Sequence, residues 1–359
     1  MMRILYGVQG TGNGHITRAR MLGPELESRG IKVDYLFSGR QPKDYFNMEP
    51  FGQYLTREGF TFVTENGEVD MKRTVLNAKL GQFIKDVAKL KVKDYDLVVT
   101  DFEPVTAWAA RLKGVKSVGI AHQYAFTHKI PGREHSRFEH LAIPIMTPVN
   151  HAIGLHWDSF GKAILPPMIS PVSGELSVSP RKVLVYLPFE NLNRVIEFLK
   201  PWSSYDFHIF AAVEQSYQEG HIRINPLSRE TFHQSMLSCA GILTSAGFGV
   251  CSEAIQAGKH LLVKPLTGQF EQTANATALS RLNLGDSIQG FDDLAFESWL
   301  KKMETSKVAH PWPNTASLLA DWIESDCEES LLELRNRAWS HHPSPLSHKR
   351  TAAAAIKAT

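Results

Sequence analysis

The chain has 359 residues, 43% hydrophobic and 21% charged, a composition typical of a folded globular protein and unlike that of a disordered or collagen-like chain. Lysine and arginine number 39 and aspartate and glutamate 37, so the net charge of +2 is too small to attract the whole surface to nucleic acid. The 3 cysteines are too few for a disulfide framework and are never spaced C-x-x-C, which indicates a reducing, cytoplasmic environment.

The N-terminal segment MMRILYGVQG has one positive charge and only a short apolar run, unlike a secretory signal peptide. No segment approaches the roughly 18 apolar residues of a membrane-spanning helix. We therefore expect a cytoplasmic protein. Peripheral contact with the inner face of the membrane stays open, because Lys129, Arg133 and Arg137 lie close to the apolar stretch HLAIPIMTPVNHAIGLH.

The first half of the chain alternates strand-like and helix-like patterns. Arg3 to Val8 predicts a strand, followed by a glycine-rich turn and a helix over ITRARMLGPELESRG. The strand KVDYLF, an amphipathic helix from Thr74 to Leu90, the strand YDLVVTDF, the helix PVTAWAARLKG and the strand KSVGIAH follow. Strands that alternate with helices predict a parallel sheet.

The segment ILPPMISPVSGELSVSPR is rich in proline and serine and has no period, which predicts an interdomain linker. The alternation then restarts with RKVLVYLPF and continues through GILTSAG and HLLVKPL. We therefore predict two doubly wound α/β domains, over residues 1–165 and 166–340, and a poorly ordered tail over residues 341–359. Because ligands of such sheets bind at the carboxyl ends of the strands, we expect the two domains to face a central cleft.

The first glycine-rich turn, GVQGTGNGH, ends at the start of a predicted helix. Glycines let the backbone approach an anion, and free N–H groups at the helix start favour a phosphate or sugar-phosphate. The dinucleotide motif G-x-G-x-x-G needs its third glycine one position later than Gly14, and the second strand ends in FSGR without an acidic residue. A nicotinamide-dependent dehydrogenase is therefore disfavoured.

His15 follows these glycines directly, where an imidazole can take a proton from a hydroxyl near neutral pH. A surface or helix-capping histidine would occupy the same position. Asp101 ends the strand LVVTDF at the same edge of the sheet, where a carboxylate can orient the imidazole. Asp101 can equally be a capping residue before Pro104, so both interpretations stay open on position alone.

The second half carries a denser motif, TSAGFGVCSEAIQAG. A strand ends at Ser245, Gly247 and Gly249 bracket the turn, and the following helix start suits a diphosphate. Glu253 lies one turn into that helix, where a carboxylate can accept from both ribose hydroxyls or simply stabilise the helix.

A cluster of polar residues, Glu271, Gln272 and Asn275, lies at the start of the next predicted helix. Spacings of three and four place these side chains on one helix face, where they can bind sugar hydroxyls or form a solvated surface.

These motifs resemble, in order and spacing, the nucleotide-sugar-binding region of GT-B glycosyltransferases, especially the UDP-glycosyltransferases and the bacterial lipid-intermediate GlcNAc transferase family. The residues that match are Ser245, Gly247, Glu253, Gly258 with Lys259, Glu271 with Gln272, and Asn275 with Ala276. GTGNGH resembles the family's glycine loop, and AHQ at residues 121–123 resembles its acceptor-lining segment. The sequence departs from the pattern at His260, where the family has proline, and at Glu271, where it has aspartate or glutamine.

The resemblance implies a GT-B fold of two Rossmann-like domains, the first binding the acceptor and the second the nucleotide-sugar. It implies His15 as the base, oriented by Asp101. The implied acceptor-binding residues are Gly12, Asn13, Gly14, His122 and Gln123. The implied donor-binding residues are Ser245, Gly247, Phe248, Gly249, Glu253, Glu271, Gln272, Asn275, and Leu227 in the loop beside the nucleobase.

The predicted reaction is inverting transfer of a hexose or N-acetylhexosamine from a nucleotide-sugar, UDP-linked, to a hydroxyl of a small molecule, a glycan or a lipid-linked cell-envelope acceptor. We expect no cofactor and no metal, because Asp94 and Asp96 form a D-x-D only at a strand start and no H-E-x-x-H motif exists. A UDP-GlcNAc 2-epimerase of the same fold and a non-catalytic nucleotide-binding protein stay open as alternatives. We expect a monomer or weak dimer.

Overall fold

The computed structural model describes residues 1–45, 47–59, 64–65, 68–69, 80–136, 139–170, 177–305 and 307–340. By its contacts the chain divides into two compact units. The first comprises Met1–Val63, Asp70–Ser170 and Trp312–Thr359, and the second comprises Thr64–Val69 and Pro171–Pro311. The predicted tail, the linker segment 171–176 and the start of the predicted helix at residues 74–79 lie outside the described residues.

Up to residue 170 the described chain alternates strands and helices, as the sequence pattern predicts. The elements are β1 (Arg3–Gln9), α1 (Asn13–Ser28), β2 (Lys32–Ser38), β3 (Tyr54–Arg57), β4 (Thr64–Glu65), β5 (Glu68–Val69), α2 (Leu80–Lys89), β6 (Leu97–Asp101), α3 (Pro104–Lys113), β7 (Ser117–Ala121), α4 (Glu139–Met146), β8 (His151–Leu155) and β9 (Ile164–Leu165). In the described residues the first sheet is parallel, in the order β3-β2-β1-β6-β7-β8-β9. Strands β4 and β5 form a separate antiparallel pair.

The core of the first unit lies between its sheet and its helices. β6 and β7 are buried along their whole length, as expected for central strands of a parallel sheet that is covered on both faces. Leu5, Val98 and Val105 belong to one apolar cluster. Gly7 on β1 allows α3 to approach closely, since a Cβ there would lie 2.0 Å from Thr106 Oγ1.

From residue 177 to 305 the described chain forms a second alternating series. Its elements are β10 (Ser179–Tyr186), α5 (Leu192–Leu199), β11 (Asp206–Ala211), β12 (Tyr217–Glu219), β13 (Ile222–Pro226), α6 (Arg229–Ser238), β14 (Cys239–Thr244), α7 (Phe248–Gln256), β15 (His260–Val263), α8 (Phe270–Leu282), β16 (Asp286–Ser287) and α9 (Asp293–Lys302). The sheet order is β12-β13-β11-β10-β14-β15-β16, parallel except for β12. Phe207, Leu243 and Trp299 are among the residues of its core.

Each sheet reverses its strand order once. In the first sheet β1 lies between β2 and β6, and in the second β10 lies between β11 and β14. Ligands of doubly wound sheets bind beyond the carboxyl ends of the strands at such a reversal. The residues that follow β1 and β6 in one unit, and β10 and β14 in the other, are therefore the ones expected to contact a ligand.

Two further helices, α10 (Thr315–Glu324) and α11 (Leu331–Trp339), belong to the first unit. Helix α10 packs along α1, and there Arg29 Nη2 donates to Asp321 Oδ1 at 2.6 Å. From α11, Trp339 Nε1 donates to the carbonyl oxygen of Ile164 at 2.9 Å.

This placement differs from the sequence prediction, which assigned residues 166–340 to the second domain. The chain passes between the units after Ser170 rather than after residue 165, and it rejoins the first unit at Trp312. Amphipathic periodicity shows that a helix covers an apolar surface, but it does not show which sheet provides that surface.

Candidate active site

His15 and Asp101 lie together at the strand reversal of the first sheet. His15 is the third residue of α1, which follows the glycine turn. Asp101 is the last residue of β6 and is paired with Val8 of β1. His15 Nδ1 is 2.7 Å from Asp101 Oδ1. Asp101 is fully buried and His15 is 9% exposed, so only a small part of His15 reaches the surface. The adjacency of β1 and β6 thus brings together the two residues that the sequence suggested as a pair.

Arg18 completes this cluster, although the sequence analysis did not single it out. Its Nε donates to Asp101 Oδ2 at 2.7 Å and its Nη2 to Asp101 Oδ1 at 2.6 Å. Burial raises the pKa of Asp101, but the Arg18 charge and the contacts with His15 outweigh burial and hold that pKa below its ordinary value. The available signal was the spacing of three between His15 and Arg18, which places both on one helix face.

Glu103 takes the capping role that had remained open for Asp101. Its Oε1 accepts from the backbone N–H of Val105 at 2.9 Å, and its Oε2 accepts from that of Thr106 at 2.7 Å. Between the two carboxylates, Phe102 has a φ of +54°, a left-handed conformation that is uncommon for an aromatic residue. The backbone therefore turns sharply, with Glu103 directed to the α3 start and Asp101 left to His15 and Arg18.

The predicted acceptor residues of the glycine turn lie at the surface. Gly12 is the N-cap of α1 and has no capping side chain, and Asn13 and Gly14 are exposed. Asn13 Oδ1 accepts from Arg40 Nη2 at 2.9 Å. These residues border His15 and present backbone groups on the same helix turn.

The segment AHQ has a more interior position. His122 follows β7 at the carboxyl edge and is only 1% exposed. Its Nδ1 lies 2.8 Å from the carbonyl oxygen of Leu155, and its ring centroid lies 4.9 Å from that of Phe126. Gln123 is half-buried. His122 thus packs within the interior of the first unit, at the carboxyl edge of its sheet.

In the second unit, the turn after β14 leaves the start of α7 open. Gly247 is the N-cap and no side chain caps the helix. A Cβ built on either Gly247 or Gly249 would meet no atom within 4 Å. The turn is anchored at the strand reversal, because the backbone N–H of Ser245 donates to the carbonyl oxygen of Tyr186 at 3.3 Å. Phe248 is buried.

Glu253 lies on the same helix, one turn further along. Its carboxyl makes no hydrogen bond or ion pair within the described part of the chain. Burial raises its pKa to about 7, and the more distant charge of Arg229 opposes this only in part. A carboxyl without a protein partner, near a helix start with open space, is suited to accept hydrogen bonds from a ligand.

Two of the predicted donor residues support the surrounding loops. Asn275 is fully buried and its Nδ2 donates to the carbonyl oxygen of Ala246 at 2.9 Å. Gln272 is 5% exposed and its Oε1 accepts from the backbone N–H of Leu266 at 2.8 Å. These amides hold the loops after β14 and β15. Glu271, in the first turn of α8, is half-buried.

An ion pair that the sequence analysis did not identify lies at the same edge of the second sheet. Lys264, immediately after β15, donates from its Nζ to a carboxylate oxygen of Glu190, in the loop after β10. Lys264 is 9% exposed, and its Nζ is 5.3 Å from the centroid of the Phe291 ring. Leu227, in the loop after β13, is 56% exposed.

Within the described residues, no group of three or more His, Cys, Asp and Glu side chains is arranged to hold a metal ion. The D-x-D pair lies at the amino end of β6, where Asp96 Oδ2 accepts from the backbone N–H of Arg3 at 2.7 Å. That is the opposite edge of the sheet from His15. Across the described parts of the chain, no helix is both long enough and apolar enough to span a bilayer.

The chain has the GT-B fold, which it shares with solved structures of glycosyltransferases. Residues 2–304 match the model of glycosyl transferase family 1, and the chain belongs to this family. The protein is therefore a glycosyltransferase, which disfavours the non-catalytic alternative. A search of curated proteins found no match.

Solved structures support the fold independently. MurG from Acinetobacter baumannii is 17% identical, with 90% of this chain and 100% of that chain covered and a TM-score of 0.58. SsfS6 from Streptomyces sp. SF2575, complexed with thymidine diphosphate, is 13% identical, with 90% and 100% covered and a TM-score of 0.58. SnogD from Streptomyces nogalater is 14% identical, with 89% and 99% covered and a TM-score of 0.53. At these identities the likeness concerns the fold alone.

Proposed function

We propose that the protein transfers a hexose or N-acetylhexosamine from a UDP-linked donor to an acceptor hydroxyl, with inversion at the sugar carbon. The observation that carries this proposal is the 2.7 Å contact between His15 Nδ1 and Asp101 Oδ1 at the carboxyl edge of the first sheet. With Nδ1–H donated to Asp101, Nε2 takes the proton of the acceptor hydroxyl. The oxygen then displaces the nucleotide directly, and a single displacement inverts the configuration.

The second unit is proposed to hold the donor. The uncapped start of α7 offers backbone N–H groups and the positive end of a helix dipole to the diphosphate, beside glycines that leave space for it. The same groups stabilise the negative charge that develops on the leaving diphosphate, so we propose that the reaction needs no metal. Glu253 accepts from the ribose hydroxyls, and Leu227 lies beside the nucleobase.

Nucleotide identity is tested by thermal unfolding of the protein with UDP, dTDP, GDP or NAD. A ligand that binds only the folded state raises the Tm, and we expect the largest rise with UDP. The dTDP sample matters because SsfS6 was solved with thymidine diphosphate. A rise with dTDP alone would correct the nucleotide and leave the site intact, whereas no rise with any nucleotide would overturn the donor site.

The base is tested with His15→Ala, assayed for transfer from UDP-GlcNAc or UDP-glucose to a panel of hydroxyl acceptors. We expect transfer to fall about 10²- to 10⁴-fold while UDP binding is retained. His135→Ala, an exposed histidine of the same unit, is the matched control. Product anomers measured by NMR test the inversion, and activity in EDTA tests metal independence. A manno product from UDP-GlcNAc without acceptor would instead identify the epimerase.

We also propose that the acceptor is reached at a membrane surface. Leu141 and Ile145 lie four residues apart on α4 and are 56% and 66% exposed. Lys129 and Arg133 precede this helix, and basic residues beside exposed apolar ones favour an anionic bilayer. Co-flotation with anionic vesicles should decrease for Leu141→Ser/Ile145→Ser. Equal flotation of variant and unsubstituted protein would contradict this proposal.

A further inference from the structure

His15 Nδ1 touches two groups that make opposite demands on it. Asp101 Oδ1, at 2.7 Å, is a hydrogen-bond acceptor, and Arg18 Nη2, at 2.8 Å, is a donor. In a neutral imidazole Nδ1 carries either a hydrogen or a lone pair, so it can satisfy only one of the two. With the hydrogen on Nδ1, Nε2 has a free lone pair and can act as a base. With the lone pair on Nδ1, Nε2 carries the hydrogen and cannot.

The hydrogen-bond count at Asp101 decides between these tautomers. A carboxylate oxygen accepts two hydrogen bonds, so Oδ1 can accept from Arg18 Nη2 and from His15 Nδ1 together. The other tautomer would place the Nδ1 lone pair 2.7 Å from Oδ1 with no hydrogen between them. Arg18 also occupies Oδ2 through its Nε. The two-point contact therefore fixes the orientation of the carboxylate, with Oδ1 facing His15 Nδ1.

Arg18 is also the cation that balances the buried Asp101. Burial alone would raise the pKa of this fully buried carboxyl, and the Arg18 charge is the largest influence that lowers it. Two phenols, Tyr6 and Tyr124, lie near the same carboxylate. Burial raises the pKa of both, so both phenols stay neutral and add no negative charge beside Asp101. Glu103, also buried, is engaged at the α3 start.

We propose that Arg18 is a positioning residue for the His15 base: its two-point contact keeps Asp101 ionised and oriented, and thereby fixes the tautomer that leaves Nε2 free. This inference rests on the proposed role of His15. Arg18 itself touches neither donor nor acceptor in the proposal. It acts through Asp101, from the next turn of α1.

The direct test is the nitrogen-15 NMR spectrum of the histidine rings at neutral pH, with the His15 signals identified by comparison with His15→Gln. We expect the Nδ1–H tautomer of the His15 ring to predominate over the Nε2–H tautomer in the unsubstituted protein. In Arg18→Gln, which lacks the charge but keeps an amide donor, we expect this form to fall below half of the population. Arg18→Lys, which keeps the charge, should retain most of it. An unchanged His15 pattern in Arg18→Gln would overturn the inference.

A kinetic readout separates positioning from simple structural support. In Arg18→Gln we expect kcat to fall about 10- to 100-fold at neutral pH with the donor KM unchanged. The acid limb of the kcat profile should move to higher pH, because transfer needs Asp101 ionised and the pKa of Asp101 rises without its cation. In Arg18→Lys, which keeps the charge, the acid limb should lie close to that of the unsubstituted protein. Equal loss at every pH, with no shift of the limb, would indicate structural support only and contradict the proposal.

The two hypotheses fail in different ways. If His15→Ala retains transfer, the assignment of the base is wrong whatever the ring spectrum shows. If His15→Ala abolishes transfer but Arg18→Gln keeps both the Nδ1–H ring and the unshifted acid limb, His15 remains the base and the role of Arg18 is wrong. Urea unfolding of each variant at the assay temperature verifies that the measured protein is folded.

Discussion

The carboxyl edges of the two sheets have the same topology and opposite chemistry. At the first, a carboxylate, a guanidinium and an imidazole are buried together, with contacts of 2.6 to 2.8 Å between them. At the second, the helix start has no cap, two glycines border open space, and Glu253 has no partner among the described residues. One edge is filled with internal contacts, and the other has a helix start without a side-chain cap and a carboxyl without a partner among the described residues.

This difference matches two separate chemical tasks. Proton transfer requires one side chain in one tautomer, which favours a rigid cluster with every partner present. Binding a diphosphate requires donors that no protein group occupies, which favours backbone N–H groups and small residues. In the proposed reaction, the same doubly wound architecture serves both tasks through the residues that follow the strands at its reversal.

The largest expected effect distinguishes the two acidic residues at the end of β6. Asp101→Asn removes the charge that orients His15, so we expect kcat to fall about 10³-fold or more. It also leaves Arg18 buried without its counter-ion, which should lower the free energy of unfolding by about 3 kcal/mol. Transfer assays and urea unfolding measure the two quantities.

Glu103→Gln is the matched control for Asp101→Asn, because it neutralises a buried carboxylate two residues away. It should cost about 1 kcal/mol of stability through the α3 cap and leave kcat within a few-fold. If Glu103→Gln slows transfer as much as Asp101→Asn does, the special role of the pair with His15 is lost.

The next effect concerns the open helix start. Gly249→Ala adds a methyl group where the free protein has space, so stability should rise by about 0.5–1 kcal/mol. The same methyl should displace the diphosphate from charge-assisted N–H contacts and weaken UDP binding about 100-fold. Gly258→Ala is the control in the same unit. There φ is +64° and a Cβ would lie 2.8 Å from Ala309 N, so stability should fall. Unchanged UDP affinity in Gly249→Ala would refute the diphosphate position.

Glu253→Gln should have opposite effects on stability and on binding. The pKa of Glu253 rises from the reference 4.5 to about 7, because burial disfavours the ionised form. The folded state therefore loses stability as the pH rises from about 5 to 7, and the loss remains at higher pH. Glutamine removes this cost, and above pH 7 the variant should be more stable by on the order of 2 kcal/mol.

UDP binding should follow the ionised carboxylate. Above pH 7 Glu253→Gln should bind UDP about tenfold more weakly, and the affinity of the unsubstituted protein should fall as pH decreases through 7. Calorimetry at pH 6 and pH 8 measures both. A pH-independent affinity in the unsubstituted protein would separate Glu253 from the ribose.

The smallest effect concerns the return of the chain to the first unit. Arg29→Ala removes the contacts of α1 with Asp321 and Ser317 and should lower the free energy of unfolding by about 1 kcal/mol. Hydrogen exchange should become faster in α10. The exposed pair of Lys301 and Glu297 in the second unit is the control, and Lys301→Ala should leave α10 exchange unchanged. Equally fast exchange of α10 in both variants would contradict a specific role of Arg29 in holding α10 against α1.

Much of the fold was predictable because strand–helix alternation is a local pattern. Doubly wound sheets bring their first strand beside their fourth, and β6 is the fourth strand of this sheet because β4 and β5 form a separate pair. The ends of β1 and β6 could therefore be predicted to meet, which places His15 near Asp101. Arg18 was not predicted, because an arginine in a helix is most often a solvated residue and only the register reveals its burial. For the same reason the burial of Gln272 and Asn275 could not be foreseen from their spacing.

The contact of α10 with α1 has a consequence for biosynthesis. Arg29 and Asp321 are 292 residues apart in sequence. As the chain leaves the ribosome, the α1 surface that α10 covers stays exposed while the entire second unit is being translated. The second unit, apart from Thr64–Val69, runs from Pro171 to Pro311, so all of its chain is available before α10 is made. The unit that is begun first therefore receives its last helices only after the other unit has been synthesised.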